Sequence, residues 1–217
     1  MVRKIIDLTM PLKTGSPVFP AYPIPIVHTW VNVKEHGFYA NLLLLVEHTG
    51  THVDSPAHFI ADGKTIDELP LEKFICRGVV VDASMKEEKE EIKREDVENA
   101  LKNLGVSVGP GWIVLFYTGY DELAGRPEWF NHPGLGEEAS KYLVQLGVSA
   151  VGIDAPSIDQ PPFPAHKTLL PNDIVVYENL TNLKMLLGVR GFKFIGLPLK
   201  IVKGSASPVR AIAIVEE

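Results

Sequence analysis

The chain has 217 residues, of which 46% are hydrophobic and 22% charged, enough for one compact domain with a sizeable core. Its net charge is -6, whereas nucleic-acid-binding proteins typically carry a basic surface. No run of the sequence approaches the roughly 20 apolar residues that a helix needs to span a bilayer. The single cysteine, Cys76, excludes an intramolecular disulfide and a cysteine-based zinc cluster. We therefore expect neither nucleic acid nor membrane as a partner. Since the N-terminus has no cleavage pattern of a signal peptide, we also expect a cytoplasmic location.

The first part of the chain is predicted to form a strand, a loop and a second strand. Residues 4–10 are predicted to form the first strand, which Pro11 ends. Residues 17–25 contain four prolines, which neither a helix interior nor a central strand tolerates, so we predict an extended loop. Residues 40–46 are apolar, and the glycine and β-branched residues that follow are poor helix formers. We therefore predict one strand from residue 40 to Asp54.

Strands and helices alternate in the rest of the chain. Charged residues with apolar ones at helical intervals predict a surface helix over residues 85–103, ending at Gly105. A second helix is predicted over residues 137–146, ending at Gly147. The further predicted strands are 78–83, 112–118, 149–154, 173–177, 191–198 and 211–215. These elements predict a single α/β domain over residues 1–217, with a mixed, strand-rich sheet and a few flanking helices.

One eleven-residue segment, HTGTHVDSPAH, carries three histidines and an aspartate. Side chains of an extended chain alternate in direction, so we expect His48, His52 and Asp54 on one face. Gly50 lies between them and leaves space for an ion. Three nitrogen and oxygen ligands with an open fourth position are typical of a catalytic metal site. The helical motif of metalloproteases is excluded, because it requires glutamate after the first histidine and threonine stands there. From the spacing alone, surface or core histidines remain the alternative.

The segment HTGTHVDSPAHF resembles the signature of the cyclase family of metal-dependent hydrolases, His-x-Gly-Thr-His-x-Asp-x-Pro-x-His, at every fixed position. Bacterial kynurenine formamidases and isatin hydrolases are members of that family. Other parts of the chain match the family as well. They are the opening strand and Pro-rich loop, Thr118-Gly119, the pattern of Asp154, Ser157 and Asp159, and the pair His166 and Glu178. The resemblance implies a swivelling β/β/α fold.

The resemblance also implies a site for one or two divalent ions, zinc or manganese. His48, His52 and Asp54 would bind one ion. Asp54 would bridge to a second ion, held also by His166 and Glu178. Without the resemblance, His166 would be interpreted as an exposed histidine in a Pro-rich loop, and Glu178 could equally be an exposed strand end.

His58 is implied as the general acid/base of a metal-activated water, since imidazole titrates near neutrality. The implied activity is hydrolysis of a small amide, with an arylformamide of the N-formylkynurenine type as the first candidate. A cyclic imide or lactam such as isatin is the alternative substrate. A non-catalytic protein stabilised by its metal is the alternative from another class. Family members assemble as dimers or tetramers, so we expect a homodimer or homotetramer.

The early loop reads FPAY where the formamidases typically have Trp-Pro-Gly-Asp, so an aromatic face is kept but its shape changes. Phe19, Tyr22, Phe59 and Phe163 are candidate substrate contacts, with ordinary packing as the alternative for each. Residues 126–133 are a candidate cover for the site.

Three other histidines have no partners at ligand spacing and are predicted to lie on the surface: His28, His36 and His132. Cys76 is predicted to be buried and unreactive.

Overall fold

The computed structural model describes residues 3–216. The strands are β1 (Arg3–Asp7), β2 (Ile26–Val31), β3 (Ala40–Leu44), β4 (His52–Asp54), β5 (Ile75–Asp82), β6 (Glu91–Ile92), β7 (Trp112–Tyr117), β8 (Gly134–Leu135), β9 (Ala150–Ile153), β10 (Val175–Glu178), β11 (Phe192–Ile195), β12 (Ala206–Pro208) and β13 (Ile212–Glu216). The α-helices are α1 (Val33–His36), α2 (Arg94–Leu104), α3 (Glu137–Leu146) and α4 (Pro164–Leu169).

A mixed sheet forms the centre of the described chain. Its nine strands follow the order β1-β13-β11-β5-β7-β9-β10-β4-β12. The central strands β5, β7, β9 and β10 run parallel, and the strands on either side of them pair antiparallel. Two smaller pairs, β2 with β3 and β6 with β8, lie outside this sheet. The predicted α/β class with a mixed sheet is confirmed.

The sheet separates two hydrophobic cores because side chains of its strands alternate between two faces. On β7, Val114 and Phe116 pack with helices α2, α3 and α4, whereas Ile113 and Leu115 face the opposite core. That second core is closed by the antiparallel strands of the sheet and by residues 183–189. Within residues 3–216, no helix is long and apolar enough to cross a membrane.

The two predicted helices differ in how well they match the structure. Helix α3 has the predicted bounds and ends at Gly147, whose φ of 70° provides the left-handed cap. Helix α2 ends at Gly105 as predicted but begins only at Arg94. The prediction of helix from residue 85 is wrong, because Ile92 is fully buried on β6 and pairs with β8. A buried tertiary contact outweighs weak helical periodicity there.

The predicted continuous strand from residue 40 to Asp54 is also wrong. Strand β3 ends at Leu44 and pairs with β2, whereas β4 starts at His52 and belongs to the main sheet. A turn joins them, and Gly50 adopts a φ of 66° in it. That left-handed conformation is one glycine adopts without steric cost, so the chain changes direction within the histidine-rich segment.

Candidate metal centre

Strand β4 brings the first ligands together. It pairs with both β10 and β12, and its register places His52 opposite Glu178. His52 and Asp54 are two residues apart, so their side chains share a face of the sheet, as predicted. His52 Nε2 lies 3.4 Å from Asp54 Oδ1 and 3.5 Å from Glu178 Oε2. Antiparallel pairing thus unites groups that are far apart in sequence.

His48 reaches the same point from the turn rather than from a strand. Its Nδ1 lies 2.8 Å from Asp54 Oδ1, and its ring stands edge-on to His52 with centroids 5.1 Å apart. The structure therefore brings His48, His52 and Asp54 together, but strand alternation is the wrong reason for His48. The left-handed backbone at Gly50 returns His48 toward the ligands of β4.

His166 lies on helix α4 rather than in an exposed loop, the interpretation that its Pro-rich surroundings suggest without the resemblance. Its side chain is buried, and its Nε2 lies 3.3 Å from Glu178 Oε1 and 3.6 Å from Asp54 Oδ2. Proline at the first helical position suits the start of a short helix. Sequence periodicity does not reveal a helix of six residues.

Asp159 holds His166 in place. Its Oδ2 accepts hydrogen bonds from the backbone N–H groups of Ala165 (2.6 Å) and His166 (3.1 Å), at the start of α4. Its Oδ1 lies 2.7 Å from His166 Nδ1. This carboxylate orients the imidazole and leaves Nε2 free to face the site, the arrangement common around metal-binding histidines. The sequence analysis noted Asp159 only as part of a pattern and missed this contact.

A second hydrogen-bonded chain holds His48. Its Nε2 lies 3.1 Å from Ser205 Oγ, and that hydroxyl donates to Glu47 Oε2 at 2.9 Å. The backbone N–H of Ser205 donates to the same carboxylate oxygen at 2.8 Å. Because the serine proton points to Glu47, the serine oxygen can accept a hydrogen bond from His48 Nε2–H, and in that tautomer Nδ1 is the nitrogen available to a cation shared with Asp54. Glu47 and Ser205 were missed by the sequence analysis, and no spacing signal marks them.

The buried polar atoms of this cluster fit a metal ion. Among the described residues, four of them have no hydrogen-bond partner: His52 Nε2, His166 Nε2, Asp54 Oδ1 and Asp54 Oδ2. Buried polar atoms rarely lack partners, and a bound cation would give these four atoms one. The other nitrogen of His52 lies 2.8 Å from the Gly50 carbonyl, which leaves its Nε2 free as a ligand.

Two ligand sets share Asp54 in this geometry. His52 and Glu178 complete one set, and His48 and His58 complete the other, with all ligand atoms of a set within 4.8 Å of one another. The resemblance groups His48 with His52 instead, so the distribution of ligands between one ion or two stays a prediction. Imidazole and carboxylate ligands suit zinc, manganese and related ions.

The charges of the cluster are strongly coupled. Burial opposes charge on each group, yet the carboxylates of Asp54 and Glu178 raise the pKa of His52 to about 10. For Glu178, burial and the charge of Asp54 raise the pKa, but the imidazoles of His166 and His52, 3.3 and 3.5 Å away, bring it to about 2. Burial likewise opposes ionisation of Asp54, but the surrounding histidines hold its pKa well below the ordinary value. The fold thus favours carboxylates here, as cation binding requires.

His58 lies beside the ligands on a short 3-10 helix, Pro56–His58, directly after β4. Its ring centroid is 4.0 Å from that of His48 and 5.7 Å from that of His166. Burial lowers the pKa of His58 below its ordinary value, because removal from water disfavours the charged imidazolium. A neutral imidazole next to the site can accept a proton at neutral pH.

A cavity of about 180 Å³ opens above the ligands. The four predicted aromatic residues line it, with Tyr22 stacked on His48 at 5.5 Å and Phe59 stacked on His166 at 4.6 Å. Further lining residues, which the sequence analysis missed, are Pro156, Ser157 and Asn179. No lysine or arginine of residues 3–216 lines this cavity, so its wall is largely apolar and aromatic.

Several predictions outside the cluster can now be judged. His28 and His36 are exposed as predicted, but His132 is buried and its Nδ1 lies 2.8 Å from the Pro133 carbonyl. Cys76 is buried, as predicted. In the part of the chain that the structure describes, residues 126–133 contribute nothing to the cavity wall, so the prediction that they cover the site is wrong. Their apolar anchor, Trp129, is only 1% exposed.

Comparison with known proteins gives a consistent result. Residues 6–160 match the family model described as "Putative cyclase". A kynurenine formamidase of Salinibacter ruber is 33% identical over 218 residues, which cover 96% of each chain. An isatin hydrolase of Roseibium aggregatum is 33% identical over 243 residues, covering 98% of this chain and 92% of that protein. The crystal structure of an isatin hydrolase bound to the product analogue thioisatinate has a TM-score of 0.92 at 26% identity, covering 99% of this chain and 93% of the other. With the signature, the fold and the ligand cluster in agreement, the chain belongs to the cyclase family.

Proposed function

We propose that this chain is a metal-dependent amidohydrolase that cleaves a C–N bond, other than a peptide bond, in a small aromatic amide. An arylformamide of the N-formylkynurenine type is the first candidate. The observation that carries the proposal is the set of unpartnered, buried ligand atoms at the floor of an aromatic cavity. Such a cavity with few convergent polar groups is typical of a small-molecule site.

The proposed ligands of one or two divalent ions, zinc or manganese, are His48, His52, Asp54, His166 and Glu178. When bound, such ions polarise a carbonyl and lower the pKa of water toward about 7. The protein fixes the directions of the ligands through groups behind them. Those groups are the Gly50 carbonyl, Asp159 and Ser205.

His58 is the proposed general acid/base. Its lowered pKa leaves an imidazole nitrogen unprotonated at neutral pH, so that nitrogen can take the proton of the attacking water. The same nitrogen then returns the proton to the departing nitrogen of the amide. A purely structural metal site has no need of such a group, which argues against a non-catalytic protein.

The cavity wall positions the substrate. Phe19, Tyr22, Phe59 and Phe163 offer aromatic faces and exclude water from the space above the ligands. An aromatic ring can bind there while its amide carbonyl points to the floor. Within residues 3–216, neither lysine nor arginine lines the cavity, so a substrate carboxylate would find no such partner there.

A cyclic imide or lactam such as isatin is the second candidate substrate. Two observations favour it. The solved isatin hydrolase superposes over nearly the whole chain, and FPAY replaces the Trp-Pro-Gly-Asp of the formamidases. A compact, uncharged, fused-ring amide also suits a cavity of about 180 Å³ that no lysine or arginine of residues 3–216 lines.

The test combines elemental analysis with turnover on one preparation. Hydrolysis of N-formylkynurenine, formanilide and isatin is measured before chelation, after chelation and after return of zinc or manganese. We expect bound metal, activity that is lost and restored with it, and loss of activity in His58→Ala. Lys102→Ala, which alters an exposed side chain on helix α2 far from the cavity, is the control and should retain full activity. No metal after reconstitution would refute the site, and metal without turnover of any of the three amides would refute the proposed reaction.

A further inference from the structure

Asn179 follows the proposed ligand Glu178 directly, at the end of strand β10. Its backbone has a φ of 56°, in the left-handed region that residues other than glycine seldom adopt. The residue is only 6% exposed and lines the cavity above the ligands. No step of the proposed reaction uses it. A buried, left-handed asparagine next to a ligand therefore needs a physical explanation.

The side-chain amide of Asn179 reaches the turn that precedes β4. Its Nδ2 donates a hydrogen bond of 2.9 Å to the Gly50 carbonyl, the same oxygen that lies 2.8 Å from His52 Nδ1. A carbonyl oxygen has two lone pairs, so it can accept from both nitrogens at once. With the two amide atoms exchanged, two acceptor oxygens would face each other at 2.9 Å, so the contact itself fixes which amide atom faces Gly50. One carbonyl thus connects Asn179 to the ligand His52.

Both backbone groups of Asn179 are tied to neighbouring segments. Its N–H donates to the Ala155 carbonyl at 2.9 Å, and its carbonyl accepts a hydrogen bond from the Thr51 hydroxyl. The Thr51 oxygen accepts in turn from the backbone N–H of Met10, at 2.9 Å. The left-handed backbone is therefore held from two sides, by the loop after β9 and by the turn before β4. The amide is a fixed point against which the Gly50 carbonyl can be placed.

Stability alone does not explain the side chain of Asn179. Asparagine enters the left-handed region more easily than most residues, but glycine does so without steric cost. The Oδ1 of Asn179 is buried and, among the described residues, has no hydrogen-bond partner, which disfavours the folded state. Groups that lower stability in this way cluster at functional sites. The contact that remains for this side chain to serve is the one between Nδ2 and the Gly50 carbonyl.

We infer that Asn179 is a positioning residue of the metal centre, which holds the Gly50 carbonyl where His52 Nδ1 donates to it. With its proton on Nδ1, His52 has Nε2 available for a cation. That nitrogen lies 3.4 Å from Asp54 Oδ1 and 3.5 Å from Glu178 Oε2. Groups that hold the second nitrogen of a metal-binding histidine fix the direction of its ring. Asn179 acts one bond further away, through the acceptor itself. The inference rests on the proposed metal centre and adds a residue that binds no ion.

Asn179→Gly tests the inference, because it removes the amide and leaves a residue that adopts the left-handed backbone without steric cost. Asn182→Gly is the matched control: Asn182 has a φ of 60°, and its Nδ2 donates to the Asp7 carbonyl at 2.9 Å, outside the cavity wall. We expect metal affinity, measured by competition with a coloured chelator, to fall about tenfold or more in Asn179→Gly and to stay unchanged in the control. The absorption spectrum of bound Co²⁺, which reports ligand geometry, should change only in Asn179→Gly. Wild-type affinity in Asn179→Gly, or an equal loss in both variants, would overturn the inference.

A second measurement follows the proton on His52 Nδ1, which is present with or without a bound ion. In the chain labelled with ¹⁵N-histidine, NMR measures how fast this proton exchanges with water. We expect slow exchange in wild type and in Asn182→Gly. Exchange in Asn179→Gly should be faster, since one hydrogen bond changes a local equilibrium about 2–10-fold. Rapid exchange in wild type would show that the Gly50 carbonyl does not hold His52, and would contradict the inference.

The inference and the proposed function fail in different ways. A wild-type chain that takes up no metal would refute the proposed metal centre, and the role of Asn179 with it. A wild-type chain that binds metal, together with an Asn179→Gly chain that binds it equally well, would refute only the role of Asn179. Neither the affinity nor the proton exchange depends on hydrolysis of a substrate.

Discussion

Replacement of Ser205 by alanine tests whether the hydrogen-bonded chain behind His48 serves metal binding. Ser205 Oγ lies 3.1 Å from His48 Nε2, and its proton is directed to Glu47. Ser205→Ala removes only the hydroxyl, since the backbone N–H of residue 205 keeps its bond to Glu47. In the variant, no hydroxyl remains to accept a hydrogen bond from His48 Nε2. The tautomer with the proton on Nε2, which leaves Nδ1 available to a cation, is then no longer favoured.

The expected magnitude follows from the burial of His48. That residue is 7% exposed, so water replaces the lost hydroxyl poorly and Nε2–H is left without an acceptor. An unsatisfied buried donor costs about 1–3 kcal/mol. Loss of a group that orients a metal-binding histidine typically weakens metal affinity about 10–100-fold. We therefore expect at least a tenfold weaker metal affinity for Ser205→Ala.

Metal affinity is measured by competition with a coloured chelator, so the result does not depend on catalytic activity. Ser84→Ala is the matched control, because the Ser84 hydroxyl also donates to a carboxylate, Asp82, but at an exposed position outside the cluster. Its metal affinity should equal that of wild type. An unchanged affinity in Ser205→Ala would show that the serine does not orient His48, and our account of the chain would then be wrong.

Three further predictions concern other residues. In Gly50→Ala the added methyl group meets no neighbouring atom, but alanine is forced into a φ of 66°. The free energy of unfolding, measured with denaturant, should fall by about 1–2 kcal/mol, and metal binding should weaken. Gly188→Ala is the control: its methyl group also meets no atom and its φ is 77°, so it should cost similar stability and leave metal affinity unchanged. Glu178→Gln keeps an acceptor for the backbone N–H of Ile158 (2.7 Å) but removes the negative charge. Elemental analysis should then show loss of metal, while the circular dichroism spectrum stays native. Full retention of metal would exclude Glu178 as a ligand. Burial raises the pKa of Cys76 to about 11, so its alkylation at pH 8 should be at least about 100-fold slower than in guanidinium. Equal alkylation rates of the folded and the guanidinium-unfolded chain would contradict the burial of Cys76. Because the fold favours the neutral thiol, its contribution to stability should be complete below the ordinary thiol pKa and be lost as the pH rises toward 11.

Patterns within one element predicted the fold well. Strand β7 agrees with its prediction because it is an unbroken apolar run after a Gly-Pro-Gly turn, and helix α3 because its helical pattern ends at Gly147. The pairing of His52 with Asp54 on one face followed from the alternation of side chains along a strand. The first half of the helix predicted from residue 85 failed, since burial of Ile92 beside β8 depends on a strand that comes much later in the chain.

The rest of the site depends on contacts that no local period contains. His48 is brought to Asp54 by a left-handed residue, and a sequence shows that glycine is present but not which conformation it adopts. Glu178 meets His52 through the register of two strands 126 positions apart, and His166 is oriented by an aspartate seven residues before it. Family resemblance identified Glu178 and His166 as ligands; the physics of the local sequence did not.

The cluster explains why this fold should be coupled to its metal. Asp54 and Glu178 are buried side by side, and the charge of Asp54 opposes ionisation of Glu178. Histidines that carry protons can offset this repulsion, but only by protonation of the nitrogens that ligation requires to be free. A bound cation offsets it without that conflict and contacts the unpartnered atoms as well. A ligand that binds only the folded state stabilises it by about 4 kcal/mol when its free concentration is 1,000 times its dissociation constant. Because the pairing of β4 with β10 assembles the ligands, the stability of the fold should depend on whether the metal site is occupied.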